Sequence, residues 1–328
     1  MRSLVGILFL SLIHLVALAQ PGGKRAFEFL NLAPSARPAA LAGPNVSSFD
    51  GDVAMHLQNP ALLDSTVARK ASLSYVPYLA DIQFGTLAYA HPFRRLGLLG
   101  FGLQYMNYGA FDGYDEFENS LGTFTASDWA LSLAYAHQVD AFSFGLGARW
   151  VQSQLFDFRP SALLFDFSTT FRHPEQDMLL AVVFKNMGAE LSREEVALPS
   201  DIRVGLSVKP EHMPVRMSVT AYNLFRNNLA YFDSLMEASS EAPNTLEKLF
   251  RHFAFGAELV LSSHVNLRAG YNHLMRQSLG VEGTGDLAGF SFGFLIRVKK
   301  WKSLIPMPAT MLQGEAIILL CPMTWANG

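Results

Sequence analysis

The sequence predicts an all-β protein, a transmembrane antiparallel β-barrel whose lumen holds an N-terminal plug segment. Two observations predict this class. The chain has 328 residues, of which 50% are apolar and only 16% charged, whereas soluble domains carry roughly 25% charged residues. Its apolar residues recur with a period of two in segments of about ten residues, which is typical of tilted strands that cross a membrane.

The first 19 residues are expected to be a signal peptide. A short basic start, Met1-Arg2-Ser3, precedes the apolar run 4–18, and Ala17-Leu18-Ala19 has the small-residue spacing of a cleavage site. The alternative, a membrane anchor helix, is disfavoured because the run is shorter than the roughly 20 residues that a span requires. We therefore expect export and cleavage after Ala19.

Residues 20–66 are expected to form the plug. They contain prolines at positions 21, 34, 38, 44 and 60 with mostly small and apolar residues between them. Proline cannot donate to a strand ladder, so the segment cannot form regular strands. An irregular backbone cannot sit in lipid, which leaves the lumen as its place. Because it precedes the first strand, we expect it to start on the periplasmic side.

The strand segments place large apolar residues on one face and small residues on the other. Trp129, Leu131 and Leu133 alternate with Ala130 and Ser132, and similar patterns recur along the chain. A soluble β-sandwich also alternates, but it turns its bulky face inward and presents charge to water. The second face here is rich in Gly, Ser and Ala, so we expect the bulky face to point outward into lipid.

About twelve strands can be identified over the barrel region 67–300, and the connections between them mostly alternate in length. The expected strands lie at 70–79, 82–91, 96–108, 127–138, 141–153, 161–172, 176–188, 201–209, 214–224, 252–262, 265–274 and 287–300. Long connections fall at 109–126, 189–200, 225–251 and 275–286. Outer-membrane barrels have short periplasmic turns and long outer loops, so both termini are expected in the periplasm.

The alternation stops in the tail, residues 301–328. Pro306 and Pro308 exclude a strand interior there. One alternative is a tail without regular structure. We expect instead a reading-frame slip near Leu304, because a shifted reading restores two strand-like pieces around a glycine turn. The slip would raise the number of strands to about fourteen and allow the barrel to close.

Six charged residues lie on the small-residue faces of the strands, where they are expected to point into the lumen. Charge is tolerated inside a barrel and not on its lipid face. We expect a hydrated interior held by ion pairs, and the alternative is selection of a substrate. The six are Arg149, Arg203, Arg216, Glu258, Arg268 and Arg297.

The long connection before residue 252 carries apolar residues at helical spacing. The spacing predicts a short amphipathic helix on the outer surface, which either docks a partner or packs over the barrel mouth. The candidate docking residues are Phe232, Leu235, Met236, Leu246, Leu249 and Phe250.

Other classes of function find no support in the sequence. No catalytic motif for a nucleophile, a zinc protease or a nucleotide is present. The single Cys321 excludes an internal disulfide and a thiolate zinc site. Acidic residues in 112–118 lack the spacing of a calcium loop. A net charge of −3 provides no basic field for nucleic acid. We expect no enzyme activity, cofactor, metal or nucleic-acid partner.

The opening segment resembles that of the PorV/PorQ family. The similar stretches are Ala-Phe-Glu-Phe-Leu-Asn-Leu at 26–32, Ser-Ala-Arg-Pro-Ala-Ala-Leu-Ala-Gly at 35–43, Asn-Val-Ser at 45–47 and Asn-Pro-Ala-Leu-Leu at 59–63. Members of this family are FadL-like outer-membrane barrels of the type IX secretion system. The size of the chain and its frame-shifted tail are most similar to the PorQ branch.

The resemblance implies a non-enzymatic outer-membrane component in a Gram-negative bacterium. Such a component holds a PorZ-like surface protein in an attachment complex with PorU-like and PorV-like members. That complex links secreted cargo to surface lipopolysaccharide. The alternative function is a FadL-like channel for small hydrophobic molecules.

Overall fold

The computed structural model describes residues 26–296 and 313–314, except 79–80, 118, 157, 193–195, 227–244, 263–264 and 280–286. The predicted signal peptide and all but two residues of the tail lie outside the described residues. The predicted signal cleavage and frame slip therefore stay predictions.

The described chain is all-β, and twelve antiparallel strands form one sheet in which each strand pairs with the next along the chain. The strands are β1 Lys70–Pro77, β2 Gln83–Phe93, β3 Gly97–Tyr114, β4 Ser120–Val139, β5 Phe142–Leu155, β6 Ser161–Arg172, β7 Asp177–Glu190, β8 Asp201–Lys209, β9 Val215–Ala221, β10 Phe253–Val260, β11 Val265–Asn272 and β12 Phe290–Ile296. A two-residue strand, β13 (Gln313–Gly314), pairs in parallel with the start of β1. The predicted all-β class and the twelve antiparallel strands are confirmed.

Helices are few and short. They are α1 (Ala36–Ala40), α2 (Thr245–Phe250) and α3 (His273–Leu279), with 3-10 turns at Glu28–Asn31, Val53–Leu57, Pro60–Leu62 and Ser65–Val67. The last three turns begin after Asp52, Asn59 and Asp64, whose side chains accept the free backbone N–H two residues ahead. In the described part of the chain, no helix has the length and apolarity to cross a bilayer.

The two faces of the sheet follow the predicted alternation. Leu131 and Leu133 point outward and are about half exposed, while Ala130 between them is fully buried. On β5, Trp150 points outward and Arg149 inward, with only 3% of Arg149 exposed. The large apolar residues therefore cover the outside, and the small and charged residues face the interior.

The sheet wraps around the N-terminal segment. Helix α1 contacts β11 and β12, the turn Val53–Leu57 contacts β1, β2 and β3, and the turn Pro60–Leu62 contacts β4, β5 and β6. Both margins of the sheet therefore lie against the same segment, which makes the fold barrel-like. Within the described residues, the sheet order starts at β12 and ends with β1 and β13, so β12 and β1 are not paired neighbours.

The hairpin of β3 and β4 is much longer than predicted, and the expected long loop at 109–126 is wrong. Strand pairing continues to Tyr114 and resumes at Ser120. The alternation of side chains between the two faces of β3 is interrupted because a bulge shifts the register between Asn107 and Ala110, where Gly109 has a φ of 87°. A bulge adds a residue to one strand and reverses which side chains face inward.

The connections lie at two ends of the sheet. The end with the connections 94–96, 140–141, 173–176, 210–214 and 261–264 is called the turn end. The opposite end, with 78–82, 115–119, 156–160, 191–200, 222–252 and 273–289, is called the loop end.

Candidate functional site

The lumen is filled by the N-terminal segment, and glycines of the strands allow its close approach. A Cβ added at Gly145 would lie 2.1 Å from the backbone nitrogen of Ala61, and one added at Gly270 would lie 2.4 Å from that of Ala42. Other inward glycines that face the segment are Gly100, Gly102, Gly147, Gly205, Gly256 and Gly293. The inner face thus carries glycine because the wall and the plug meet with no room for side chains.

A buried carboxylate of β10 fixes the plug to the wall. Arg37 of α1 donates to both carboxylate oxygens of Glu258, at 3.0 and 2.7 Å. Arg268 of β11 donates to the same carboxylate at 2.8 Å. Arg216 of β9 lies 3.7 Å from it and also pairs with Asp50 of the plug. Because Glu258 is opposite both Arg216 and Arg268 in the strand register, the sheet places all three together.

This Glu258 cluster balances its charges between the plug and the wall. Asp177 of β7 pairs with Arg216 at 3.0 Å, so three arginines, at 37, 216 and 268, face three acids, at 50, 177 and 258. Both Arg172 and Arg216 also hold their guanidinium groups over the ring of Phe49, at 4.7 and 4.8 Å. Because a buried charge without its partner is costly, the cluster is stable only with the plug in place.

A second group of polar residues surrounds Arg149 on the part of the wall formed by β5 to β8. Arg149 donates to Asp166 at 3.1 Å, to the amide oxygen of Asn186 at 2.6 Å and to the backbone oxygen of Leu57 at 3.1 Å. Asp166 is also fixed by the backbone N–H of Asn186, at 2.7 Å. This arrangement connects β5, β6 and β7 to the plug.

Two further cations of this wall bind one plug residue. Lys185 donates to the side-chain oxygen of Gln58 at 2.7 Å and to the backbone oxygen of Leu57 at 3.0 Å. Arg203 donates to the same Gln58 oxygen at 2.8 Å and to Asp201 at 2.7 Å. A single glutamine of the plug thus satisfies cations from two strands.

Of the six charged residues predicted in the lumen, five lie on the inner face and are buried: Arg149, Arg203, Arg216, Glu258 and Arg268. Arg297 lies outside the described residues. The five are covered by the plug and by each other, in place of the hydrated interior that we expected. Arg37, Asp50 and Lys185 also belong to these groups but were not predicted from the sequence. Lys185 occupies an inward-facing position of β7, as Leu179 and Val183 do. The alternation along this strand could therefore have identified it from the sequence.

The predicted docking loop is described in part. Phe232, Leu235 and Met236 lie outside the described residues. Leu246, Leu249 and Phe250 lie on α2 and are 63%, 54% and 49% exposed. The ring of Phe250 meets that of His273 at the start of α3, with centroids 6.3 Å apart. The apolar side chains of α2 are therefore open at the loop end.

The first described residue of the plug lies at the loop end, and the predicted periplasmic start of the segment stays a prediction. The backbone N–H of Ala26 donates to the oxygen of Ala197, in a loop-end connection, at 3.2 Å. The segment reaches the turn end at Asp64, which pairs with Arg172 at 3.4 Å. No local pattern fixes this direction, since it depends on contacts between residues far apart in sequence.

The outer face carries aromatic residues at two levels. Near the loop end, Trp129 and Trp150 pack edge to face with centroids 4.6 Å apart. Near the turn end, Phe142 and Phe171 pack at 5.1 Å. From Phe142 to Trp150 the strand rises about 27 Å, or about 20 Å along the axis at a tilt of about 40°. This spacing is close to the apolar band of about 25 Å between the aromatic girdles of membrane barrels.

The surface between these levels is apolar. Leu133, Phe144 and Leu146 are 45%, 53% and 50% exposed. Continuous apolar surface of this kind is rare on soluble monomers and marks contact with a membrane or another protein.

The loop at 115–119 is held by one carboxylate. Asp115 accepts hydrogen bonds from the backbone N–H groups of Phe117 and Asn119 and from the side chain of Asn119. The hydrogen bonds from Asn119, side chain first, lower the pKa of Asp115 below its usual value. Among the described residues, no group of three or more His, Cys, Asp or Glu could hold a metal ion.

Neither a protein-family model nor a curated protein matches the chain. Three features of the structure bear on function: a filled lumen, an apolar outer belt and an exposed helix at the loop end.

Proposed function

We propose that this protein is a non-enzymatic outer-membrane barrel that anchors a surface protein at its loop end. The observation that carries the proposal is the filled lumen. Plug and wall meet backbone to backbone at Gly145 and Gly270, and buried ion pairs join them at Glu258. A barrel packed in this way has a solid interior and offers its exposed end as the surface on which a partner can bind.

A membrane location is supported by the outer face. The apolar belt between the two aromatic levels matches the thickness that lipid covers in outer-membrane barrels. The longer connections of such barrels face the outside of the cell, so the loop end lies at the surface beside lipopolysaccharide. In this orientation β12 runs toward the periplasm.

The partner, as the PorV/PorQ resemblance implies, is a PorZ-like surface protein that acts with PorU-like and PorV-like members. Helix α2 supports a docking role because Leu246, Leu249 and Phe250 are exposed beyond the end of the strands. Apolar side chains on one short helix are a common means of seating in a groove of a partner.

A FadL-like channel is the alternative, and the packing of the lumen counts against it. A path for hydrophobic molecules needs an apolar route past the plug. Displacing the plug would separate Arg37 from Glu258 and remove the plug contacts of three wall arginines, Arg149, Arg203 and Arg216, which would keep only their wall partners. Breaking a buried ion pair such as Arg37–Glu258 typically costs about 3–5 kcal/mol.

The docking role is tested by deleting residues 229–248. We expect the barrel to fold, as judged by its heat-dependent mobility in SDS gels, and the PorZ-like partner to be released from the cells. The control replaces the loop 115–119 with a Gly-Ser linker of equal length, which should retain the partner. If the deletion retains the partner, this loop is not the docking site. If it gains uptake of a long-chain fatty acid, the channel proposal gains support.

A further inference from the structure

The plug runs through the whole length of the lumen, and its first described residues belong to the loop end. Besides the hydrogen bond from Ala26 to Ala197, Glu28 pairs with Arg226, in the connection after β9, at 3.2 Å. Phe27 and Phe29 are buried in one apolar cluster with Met106, near the middle of β3. The segment is thus held at this end by backbone, ionic and apolar contacts.

The last residues of the plug belong to the turn end. The backbone N–H of Arg69 donates to the oxygen of Ala90, near the end of β2, at 2.8 Å. Asp64 pairs with Arg172, the last residue of β6. Strand β1 then starts at the turn end with Lys70.

Between these ends, the segment contacts the wall strand by strand. Its backbone oxygen at Ala42 accepts from Asn272 of β11 at 3.1 Å. Asn45 donates to Ser218 of β9 at 3.1 Å, and the backbone oxygen of Ala61 accepts from Ser143 of β5 at 2.9 Å. The segment therefore stays inside the sheet along its whole course.

From this path we infer that the plug begins on the outer side of the membrane and ends on its periplasmic side, so that Ala26 and Glu28 can be reached from outside the cell. The inference goes beyond the proposed function and uses from it only the orientation of the barrel. The N-terminal side of the plug and the C-terminal end of β12 then lie on opposite sides of the outer membrane. Glu28 pairs with Arg226, which directly precedes the candidate docking loop, so this end of the plug contributes to the same outer face.

The test uses single cysteines and a maleimide that does not cross membranes. In a background with the only native cysteine replaced, Cys321→Ser, we would compare Ala26→Cys with Glu116→Cys at the loop end and Glu175→Cys at the turn end. On intact cells we expect Ala26→Cys to label without permeabilisation, as Glu116→Cys does. Glu175→Cys should label only after the outer membrane is permeabilised. Labelling of Ala26→Cys only together with Glu175→Cys would overturn the inference.

A second measurement separates this inference from the membrane orientation. In purified protein, the pair Ala26→Cys and Ala197→Cys should form a disulfide under mild oxidation, because the two residues are joined by a backbone hydrogen bond. Equal labelling of Glu116→Cys and Glu175→Cys on intact cells would refute the proposed orientation and with it the outer position of Ala26. A folded double variant that forms no disulfide would refute the path of the plug itself.

Discussion

The carboxylate of Glu258 provides the sharpest test of how the plug is held. The substitution Glu258→Gln keeps the shape of the side chain and removes its charge. It leaves Arg37, Arg216 and Arg268 with only the two acids Asp50 and Asp177. The hydrogen bonds from Arg37 at 3.0 and 2.7 Å and from Arg268 at 2.8 Å lose their charged acceptor.

The expected cost is about 3 kcal/mol. Removing one partner of a buried ion pair typically costs about 3–5 kcal/mol, and the lower end applies because Asp50 remains beside Arg37 and Arg216. This cost lowers the equilibrium constant for folding by about two orders of magnitude. The measurement is urea unfolding of the purified protein in detergent, with protease cleavage within residues 26–69 as a report on release of the plug.

The matched control is Glu247→Gln on α2. Glu247 also accepts from an arginine at 2.8 Å, Arg251, but this pair lies at the partly exposed loop end, where such pairs contribute about 0.3–0.5 kcal/mol. Equal stability of the two variants would refute the view that the Glu258 cluster holds the plug. In the double variant Glu258→Gln with Arg37→Gln, the cost should be smaller than the sum of the single costs, because both changes break the same contact.

Three further substitutions test the wall, the outer belt and the loop. Gly145→Ala should destabilise the protein by about 1–3 kcal/mol in the same unfolding assay, because its Cβ would meet the backbone of Ala61. The control Gly85→Ala, whose added Cβ would have its nearest contact at an oxygen 4.0 Å away, should leave the stability almost unchanged. Equal loss of stability in the two variants would contradict the close fit between plug and wall. Leu133→Lys, in the middle of the outer belt, should make the free energy of folding into lipid vesicles less favourable by about 2–4 kcal/mol. The control Thr125→Lys, on the same strand near the loop end, should be tolerated. Tolerance of both substitutions would indicate a soluble protein and contradict the membrane location. Asp115→Ala should increase protease cleavage within 115–119 at neutral pH. Because folding lowers the pKa of Asp115, its stabilising effect is present above its unfolded pKa and is lost as the pH falls through its folded pKa. In acid, the cleavage rate of the wild-type loop should therefore approach that of the variant. Equal cleavage rates of wild type and variant at neutral pH would contradict this role.

The strands could be predicted because their signal is local. Each residue of a strand faces either the apolar outer surface or the interior, so consecutive residues such as Ala130 and Leu131 alternate between small and large apolar side chains. The long β3–β4 hairpin was missed where this local rule fails. The bulge at Asn107 to Ala110 reverses the inward and outward sides without ending the pairing.

The interior could be predicted only in outline. The charge of Glu258 and Arg216 on small-residue faces indicated a lumen, but Arg37 and Glu258 are 221 residues apart in sequence. No periodicity connects such positions. The sequence also did not determine whether the inward glycines face water or the backbone of the plug, because glycine is compatible with both environments.

The close fit between glycine and backbone also constrains the order of folding events. At Gly145 and Gly270 the space between wall and plug is too small even for a methyl group, while the plug carries side chains as large as Phe29 and Arg37. A segment of this kind cannot slide lengthwise between strands that are already in place. The strands must instead pair around a segment that already lies between them, which makes the first part of the chain a template for assembly of the sheet.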